Sequence, residues 1–331
     1  MSSEWKNISE ESWKKLENIV EQEMLTPEEI RDKLEVTEKG RIRQSIQNCK
    51  YVLEHDPCLR GAVCRNEMTC QIDIKKKVPW KRRGVQMTDT DMNNLSLYLE
   101  KNYGLTSDRV IGKAIDIVAN DNSFHPIIDL LESLKWDGRP RIAGMLTHFF
   151  GAENPEYSGE IMKMHMLAAI SRLYEPGKKY DIMLCLVGGQ GTGKSTFFKY
   201  LAIQDEWFTD DVKRLDDKKV YEYLQGHWIV EMSEMNAVAN AKSIEETKSF
   251  LSRQKDTYRI PYERRAEDRY RQCVFCGTSN DLAFLPFDRT GNRRFGPVKV
   301  CPRKQRLRYI GMKKAPENIS YRRGQKQWKS T

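Results

Sequence analysis

Apolar residues in the first part of the chain recur at helical spacing, whereas later ones gather into short unbroken runs. Ile42, Ile46, Cys49 and Leu53 form a stripe that predicts a helix over 38–54. Upstream, Thr26-Pro27-Glu28-Glu29 reads as a capping box with proline at the first helical position. Residues 62–74 switch to a short hairpin pattern with Arg65-Asn66-Glu67 as its turn. Two further helices are expected over 89–102 and 107–120, capped by Asp89 and Ser107. Residues 123–142 read as a short helix, a turn at Trp136–Arg141 and the start of another helix. Tyr157–Tyr174 predicts a long amphipathic helix closed by Glu175-Pro176-Gly177. Three apolar runs then read as buried strands: Ile182–Val187, His227–Val230 and Gln272–Gly277.

This pattern divides the chain into a mostly helical N-terminal domain with a small hairpin (1–135) and an α/β domain with leading helices (136–300). From 301 to 331 the chain is basic, poor in apolar residues and without periodicity, and it reads as a disordered tail.

Charge changes the picture once it is located. The 331 residues carry a net charge of +9, but residues 299–331 hold eleven Lys/Arg against one acid, Glu317. The remainder is close to neutral, so overall basicity gives no argument for nucleic-acid binding, and local patches must supply it. No apolar run is long enough to span a bilayer, and the polar, mixed-charge N-terminus does not read as a signal peptide. A cytoplasmic protein with no membrane partner is expected, its eight cysteines reduced thiols.

The chemistry is densest at Gly188-Gly189-Gln190-Gly191-Thr192-Gly193-Lys194-Ser195, a G-x-x-x-x-G-K-[ST] loop between an apolar strand and a helix that opens at Thr196. Glycines let successive backbone N–H groups face an anion, and the helix N-terminus adds partial positive charge. This loop predicts an ATP site, with Lys194 on the β- and γ-phosphates and the Ser195 hydroxyl on Mg²⁺. Turnover needs acids nearby. Glu231 and Glu234, at the end of the second apolar strand, are candidates for holding Mg²⁺ and orienting the attacking water, with Glu234 favoured as the base. Asn280, after the third strand, is placed to sense the γ-phosphate. Arg293 and Arg294 read as arginine fingers for a neighbouring subunit's site.

Between the second and third strands a helix ends near Gln254. Tyr258–Tyr262 then reads as one arm of a hairpin with a basic turn at Arg264-Arg265, followed by Arg269 and Arg271. Lys255, Arg259, Arg264 and Arg265 are the candidate nucleic-acid contacts, since cations interleaved with tyrosines can hold phosphates and stack bases. Glu263, Glu267 and Asp268 lie among them and favour a merely solvated hairpin. Cys58, Cys64 and Cys70 lack the close pairs of a zinc site. Cys273 and Cys276 sit in an apolar strand and read as packed thiols, and Trp80 and Trp136 read as packing residues.

Taken together, Trp136-Asp137-Gly138 through Glu175-Pro176-Gly177, the loop 188–195, Trp228–Glu234, Asp256–Tyr262 and Thr290–Phe295 closely resemble the virulence-associated E family of phages and mobile elements, over about residues 44–298. That family looks like the superfamily 3 helicases. The resemblance implies a P-loop NTPase core of AAA+ type, ring-shaped homo-oligomers, ATP hydrolysis, and work on single-stranded or forked DNA beside a primase or other replication proteins. Two departures stand out. Ser233 precedes Glu234 where the family often has adjacent acids. Past Arg294-Phe295 the chain turns basic where further core segments are expected, as in a truncated copy. The alternative function is therefore a nucleotide-binding, non-hydrolysing module that engages replication proteins. A small-molecule kinase fits the long helical N-terminal part and the paired arginines less well.

Overall fold

The computed structural model describes residues 25–212, 220–233, 241–258, 266–281 and 292–301. By contacts the chain falls into two compact units, Met1–Asp129 and Leu130–Thr331.

In the first unit, Thr26 caps α1 (Pro27–Asp32) through the full capping box that its sequence encodes, with Glu29 reaching back to the Thr26 backbone. The expected helix over 38–54 forms only as α2 (Ile46–His55). Ahead of it Val36 and Ile42 form an isolated antiparallel bridge, while Ser45 caps the helix by accepting from Asn48 N. The hairpin consists of β1 (Val63–Asn66) and β2 (Gln71–Ile74), so its turn lies at 67–70 rather than at Arg65–Glu67. Asn66 sets that turn, because its side-chain oxygen accepts from the backbone of Met68 and Thr69. The next helix, α3 (Asp89–Tyr103), is capped by Thr88 rather than Asp89, with Asp91 closing the capping box. Before α4 (Asp108–Asp121), Ser107 occupies the cap position without making the expected side-chain bond. The apolar stripes of α2, α3 and α4 meet in one core that contains Val52, Leu53, Leu95, Leu99, Ile111, Ile115 and Val118.

Helix α5 (Pro126–Ser133) spans the boundary between the units. Trp136 beyond it is 80% exposed, against the expectation of a packing role. The second unit continues with α6 (Met145–Phe150) and α7 (Pro155–Tyr174). Its strands are β3 (Met183–Val187), β4 (Phe208–Thr209), β5 (Ile229–Met232), β8 (Val274–Ser279) and β9 (Phe295–Lys299). They form one sheet in the order β4-β5-β8-β3-β9, and every pairing is parallel. A parallel sheet covered on both faces needs continuous apolar strands, and Met183–Val187 and Val274–Ser279 are buried along their whole length. Helices α8 (Lys194–Leu201), α9 (Val220–Leu224) and α10 (Ala241–Ser252) connect the strands.

Sequence pattern missed two strands. Thr209 ends a two-residue β4, too short for a periodic signal. Strand β9 lies where the chain was expected to leave the core. There Phe295 and Val298 pack beside β3, and Pro297 interrupts the apolar run. Outside the sheet, β6 (Lys255–Tyr258) and β7 (Glu267–Tyr270) pair as an antiparallel ribbon.

Candidate functional site

Because all five strands run the same way, their carboxyl ends share one edge, which is where ligands bind in open parallel sheets. The glycine loop leaves β3 at that edge. Gly188 N–H donates to Ser279 O at 3.1 Å, and Val300 N–H donates to Val187 O at 2.8 Å, so the loop starts between β8 and β9. Gly191 (φ +73°) and Gly193 (φ +81°) take left-handed backbone conformations that only glycine adopts without strain. At Gly188 a Cβ would lie 2.3 Å from Val300 O, so the close backbone approach itself requires glycine. Gly193 is the N-cap of α8, and Lys194 and Ser195 open that helix.

Lys194 is only 7% exposed, and its ammonium folds back onto its own loop. It donates to Gly188 O (2.6 Å), Gly189 O (2.9 Å) and Thr192 Oγ1 (3.3 Å), and reaches Asn280 Oδ1 at 3.4 Å. Burial lowers its pKa, opposed by the nearby Glu231 charge. Gln190 and Thr196 lie exposed on the loop and on the first turn of α8.

Glu231 lies within β5, not after it, and is fully buried. Its Oε1 accepts from Ser195 Oγ at 2.7 Å and from Thr278 Oγ1 at 2.8 Å. Its Oε2 is buried and has no hydrogen-bond partner among the described residues. Burial pushes the Glu231 carboxyl pKa up, the two hydroxyls oppose this, and Asp210 adds to it by like-charge repulsion. A buried carboxylate oxygen with no donor, beside a serine hydroxyl, is a fit for a hard cation, which oxygen ligands of this kind hold.

The structure thus brings together Lys194, Ser195, Glu231 and Asn280, four residues picked out by sequence alone. Reasoning from sequence missed Thr278, which faces Glu231 from the neighbouring strand two residues before Asn280, and Asp210, which follows β4 beside Glu231. A hydroxyl two residues ahead of the polar amide was the only signal for the first. The second had none, because β4 itself was invisible. Glu234 lies outside the described residues.

Arg293 and Arg294 do not join this edge within the chain. Arg294 O accepts from Met183 N–H, which places both arginines at the opposite, amino end of β3. There Arg294 Nε donates to Ser252 Oγ (2.9 Å) and pairs with Asp181 (3.2 Å), while Arg293 is exposed. Of the predicted nucleic-acid contacts, Lys255 is described and pairs with Asp268 across the β6–β7 ribbon; Arg259, Arg264 and Arg265 lie outside the described residues. Arg271 is structural. It forms a two-pronged ion pair with Asp256 (2.6 and 2.9 Å), donates to Phe250 O and lies over the Phe250 ring.

A model of the virulence-associated protein E-like domain matches residues 131–321, and the chain belongs to that family. The match starts at residue 131, so the part of the expected likeness from residue 44 to 130 lies outside it. It also continues to 321, through the basic segment that was expected to depart from the family. Among solved structures, three apo structures of the NrS-1 C-terminal region share 15% identity with this chain at TM-scores of 0.44–0.45. The likeness covers 75% of this chain and 62% of theirs. No curated protein matches the chain. No helix among the described residues is long and apolar enough to cross a membrane.

Proposed function

We propose that this chain is an ATP-hydrolysing, DNA-acting helicase-like protein of phage or mobile-element replication, built on a P-loop core of AAA+ type and working as a homo-oligomeric ring. The observation that carries this reading is the convergence of Lys194, Ser195, Glu231, Thr278 and Asn280 at one sheet edge.

In this reading the backbone N–H groups of 188–195 and the α8 N-terminus receive the phosphates. Lys194, now satisfied by loop carbonyls, turns to the β- and γ-phosphates. Ser195 and Glu231 hold Mg²⁺, which when bound neutralises phosphate charge. Asn280, within reach of Lys194, reads the γ-phosphate. Glu234 or Asp210 orients the attacking water by accepting its proton. Arg293 and Arg294, remote from their own chain's loop, serve a neighbour's site. Lys255 on the ribbon, together with Arg259, Arg264 and Arg265, contacts DNA. Membership of the virulence-associated E-like family favours a role in mobile-element replication, beside a primase or other replication proteins.

The test is steady-state ATP hydrolysis with Mg²⁺, with and without single-stranded DNA, for the parent chain and Lys194→Ala. Hydrolysis well above the variant, raised by DNA, is expected. A parent rate equal to that of Lys194→Ala under both conditions overturns the reading.

A further inference from the structure

The first unit carries a cationic segment outside the site described above. Six of the nine residues from Lys75 to Arg83 are basic, and no acid occurs between Ile74 and Thr88. A run of lysines is usually only a solvated face. This one is held to the unit at several points. Val78 is buried. The Trp80 indole N–H donates to Asp91 Oδ1 at 2.9 Å. Arg82 turns inward, pairs with the same carboxylate at 2.8 Å and donates to the carbonyls of Ile74, Val85 and Gln86. Lys76 Nζ donates to Arg60 O at 2.6 Å, and Lys75 lies over the Phe124 ring.

Two consequences follow. Asp91, the acid that would otherwise neutralise the strap, is occupied by Arg82 and Trp80. Lys77, Lys81 and Arg83 are left exposed on the outer side, and among the described residues Lys81 and Arg83 form no ion pair. A row of cations on a pinned backbone suits a linear polyanion, since little side-chain and chain order remains to be lost on binding. Anchoring to a membrane surface would call for apolar side chains beside the cations, whereas Val78 and Trp80 are turned into the unit.

We propose that the strap Lys75–Arg83 is a nucleic-acid contact, holding the phosphodiester backbone through Lys77, Lys81 and Arg83. It rests on the reading above only for the identity of the polyanion. The test is binding of the full chain to labelled single-stranded and duplex oligonucleotides across a salt series, without nucleotide. Parent, Lys77→Ala/Lys81→Ala/Arg83→Ala and a control that removes the same charge elsewhere on the unit, Lys39→Ala/Lys101→Ala/Lys113→Ala, are compared. Neutralising three phosphate contacts makes the log–log salt slope shallower by about 2 on a single strand and by about 2.7 on duplex. The strap variant shows that change, and the control keeps the parent slope. The milder pair Lys81→Gln/Arg83→Gln, whose side chains make no ion pair among the described residues, gives a change of about 1.4 on a single strand. Equal slopes for parent and strap variants overturn the proposal, as does an equal change in the control. A loss of binding to phosphatidylserine vesicles with DNA slopes unchanged overturns it in favour of a membrane. None of these readouts uses turnover. A strap effect in a chain that hydrolyses no ATP therefore sinks the ATPase reading and leaves the strap standing.

Discussion

Ser195 donates its hydroxyl to Glu231 across 2.7 Å, although the two lie 36 residues apart on different elements. The bond joins the start of α8 to β5 and, among the described residues, leaves the other carboxylate oxygen of Glu231 buried without a donor. A charge held this way costs stability until a cation meets it. Its folded pKa is raised above the unfolded value, so the native state favours the protonated form and loses stability as pH rises through the carboxylate range. Glu231→Gln is therefore expected to raise the unfolding midpoint at pH 7 without Mg²⁺ or nucleotide, by the equivalent of about 1 kcal/mol. The gain should fade as pH falls from the raised folded pKa toward the unfolded value of about 4.5 and be absent below it, where the carboxyl is neutral in both states. The same variant should lose at least about a hundredfold in ATP turnover. Thermal unfolding at several pH values, beside the hydrolysis rate, checks both halves, and a destabilised variant at pH 7 contradicts the first.

Asn280 stands 3.4 Å from the Lys194 ammonium, at the carboxyl end of the strand beside β3. In the proposed reading, an amide at this position senses the γ-phosphate by meeting charge that develops on it during transfer. Asn280→Ala is expected to lower kcat about a hundredfold while ATP affinity stays within a few-fold. Nucleotide titration and steady-state rates separate the two. A loss confined to affinity would assign Asn280 to ground-state binding.

How much of this was legible in sequence follows from what each residue depends on. The glycine loop was legible because its spacing alone imposes its backbone, and β3, β5 and β8 because burial on both faces leaves unbroken apolar runs. The fifth strand was not. Phe295–Lys299 contains Gly296 and Pro297, and it is a strand because β3 offers it a partner. Thr278 and Asp210 were hidden for a related reason: they matter through the order in which strands pair, which places β8 between β3 and β5. In the helical unit the stripes were legible and their caps less so. Thr88 and Asp89 are both good caps, and only the bond from Asp91 N to Thr88 Oγ1 decides between them. Arg271 looked like its basic neighbours until its burial against Asp256 was seen.

The Asp256–Arg271 pair is buried on both sides, with side-chain exposures of 6% and 2%. Removing one partner leaves a bare charge in the interior. Arg271→Ala should destabilise the second unit by about 3–5 kcal/mol, whereas Asp256→Leu/Arg271→Met, which removes both charges, should lose far less or nothing. Urea denaturation of the three chains checks this. Equal losses for the single and double variants would show that packing over Phe250, not the charge, is what Arg271 supplies.

At Gly188 the constraint is distance. A methyl group there would meet the Val300 carbonyl at 2.3 Å and the Val300 side chain at 2.9 Å. Relief requires the end of β9 to move off β3, breaking the Val300–Val187 hydrogen bond. Gly188→Ala is expected to lose about 1–3 kcal/mol of stability and nucleotide binding with it. By contrast Gly189→Ala meets nothing closer than Thr192 Cγ2 at 3.9 Å and should keep the parent's stability. A denaturation midpoint for Gly188→Ala equal to that of Gly189→Ala would show that β9 yields freely.

The carboxylate that pins the cationic strap gives a prediction in acid. Burial alone would raise the Asp91 pKa, but bonds from Arg82, Trp80 and Thr88 more than reverse this and hold it at about 2. The unfolded value is about 3.9. A depressed folded pKa means stability that is complete above the unfolded value and is lost as pH falls through about 4 toward about 2. Asp91→Asn removes the charge at every pH. It should therefore be less stable than the parent at pH 7, by about 2 kcal/mol, and the gap should close between pH 4 and pH 2. Taking the difference between the two chains cancels the acid sensitivity of other carboxylates. Denaturant midpoints at pH 7, 4 and 3 give the comparison, and a gap that stays constant across them would mean that Asp91 acts through geometry rather than charge.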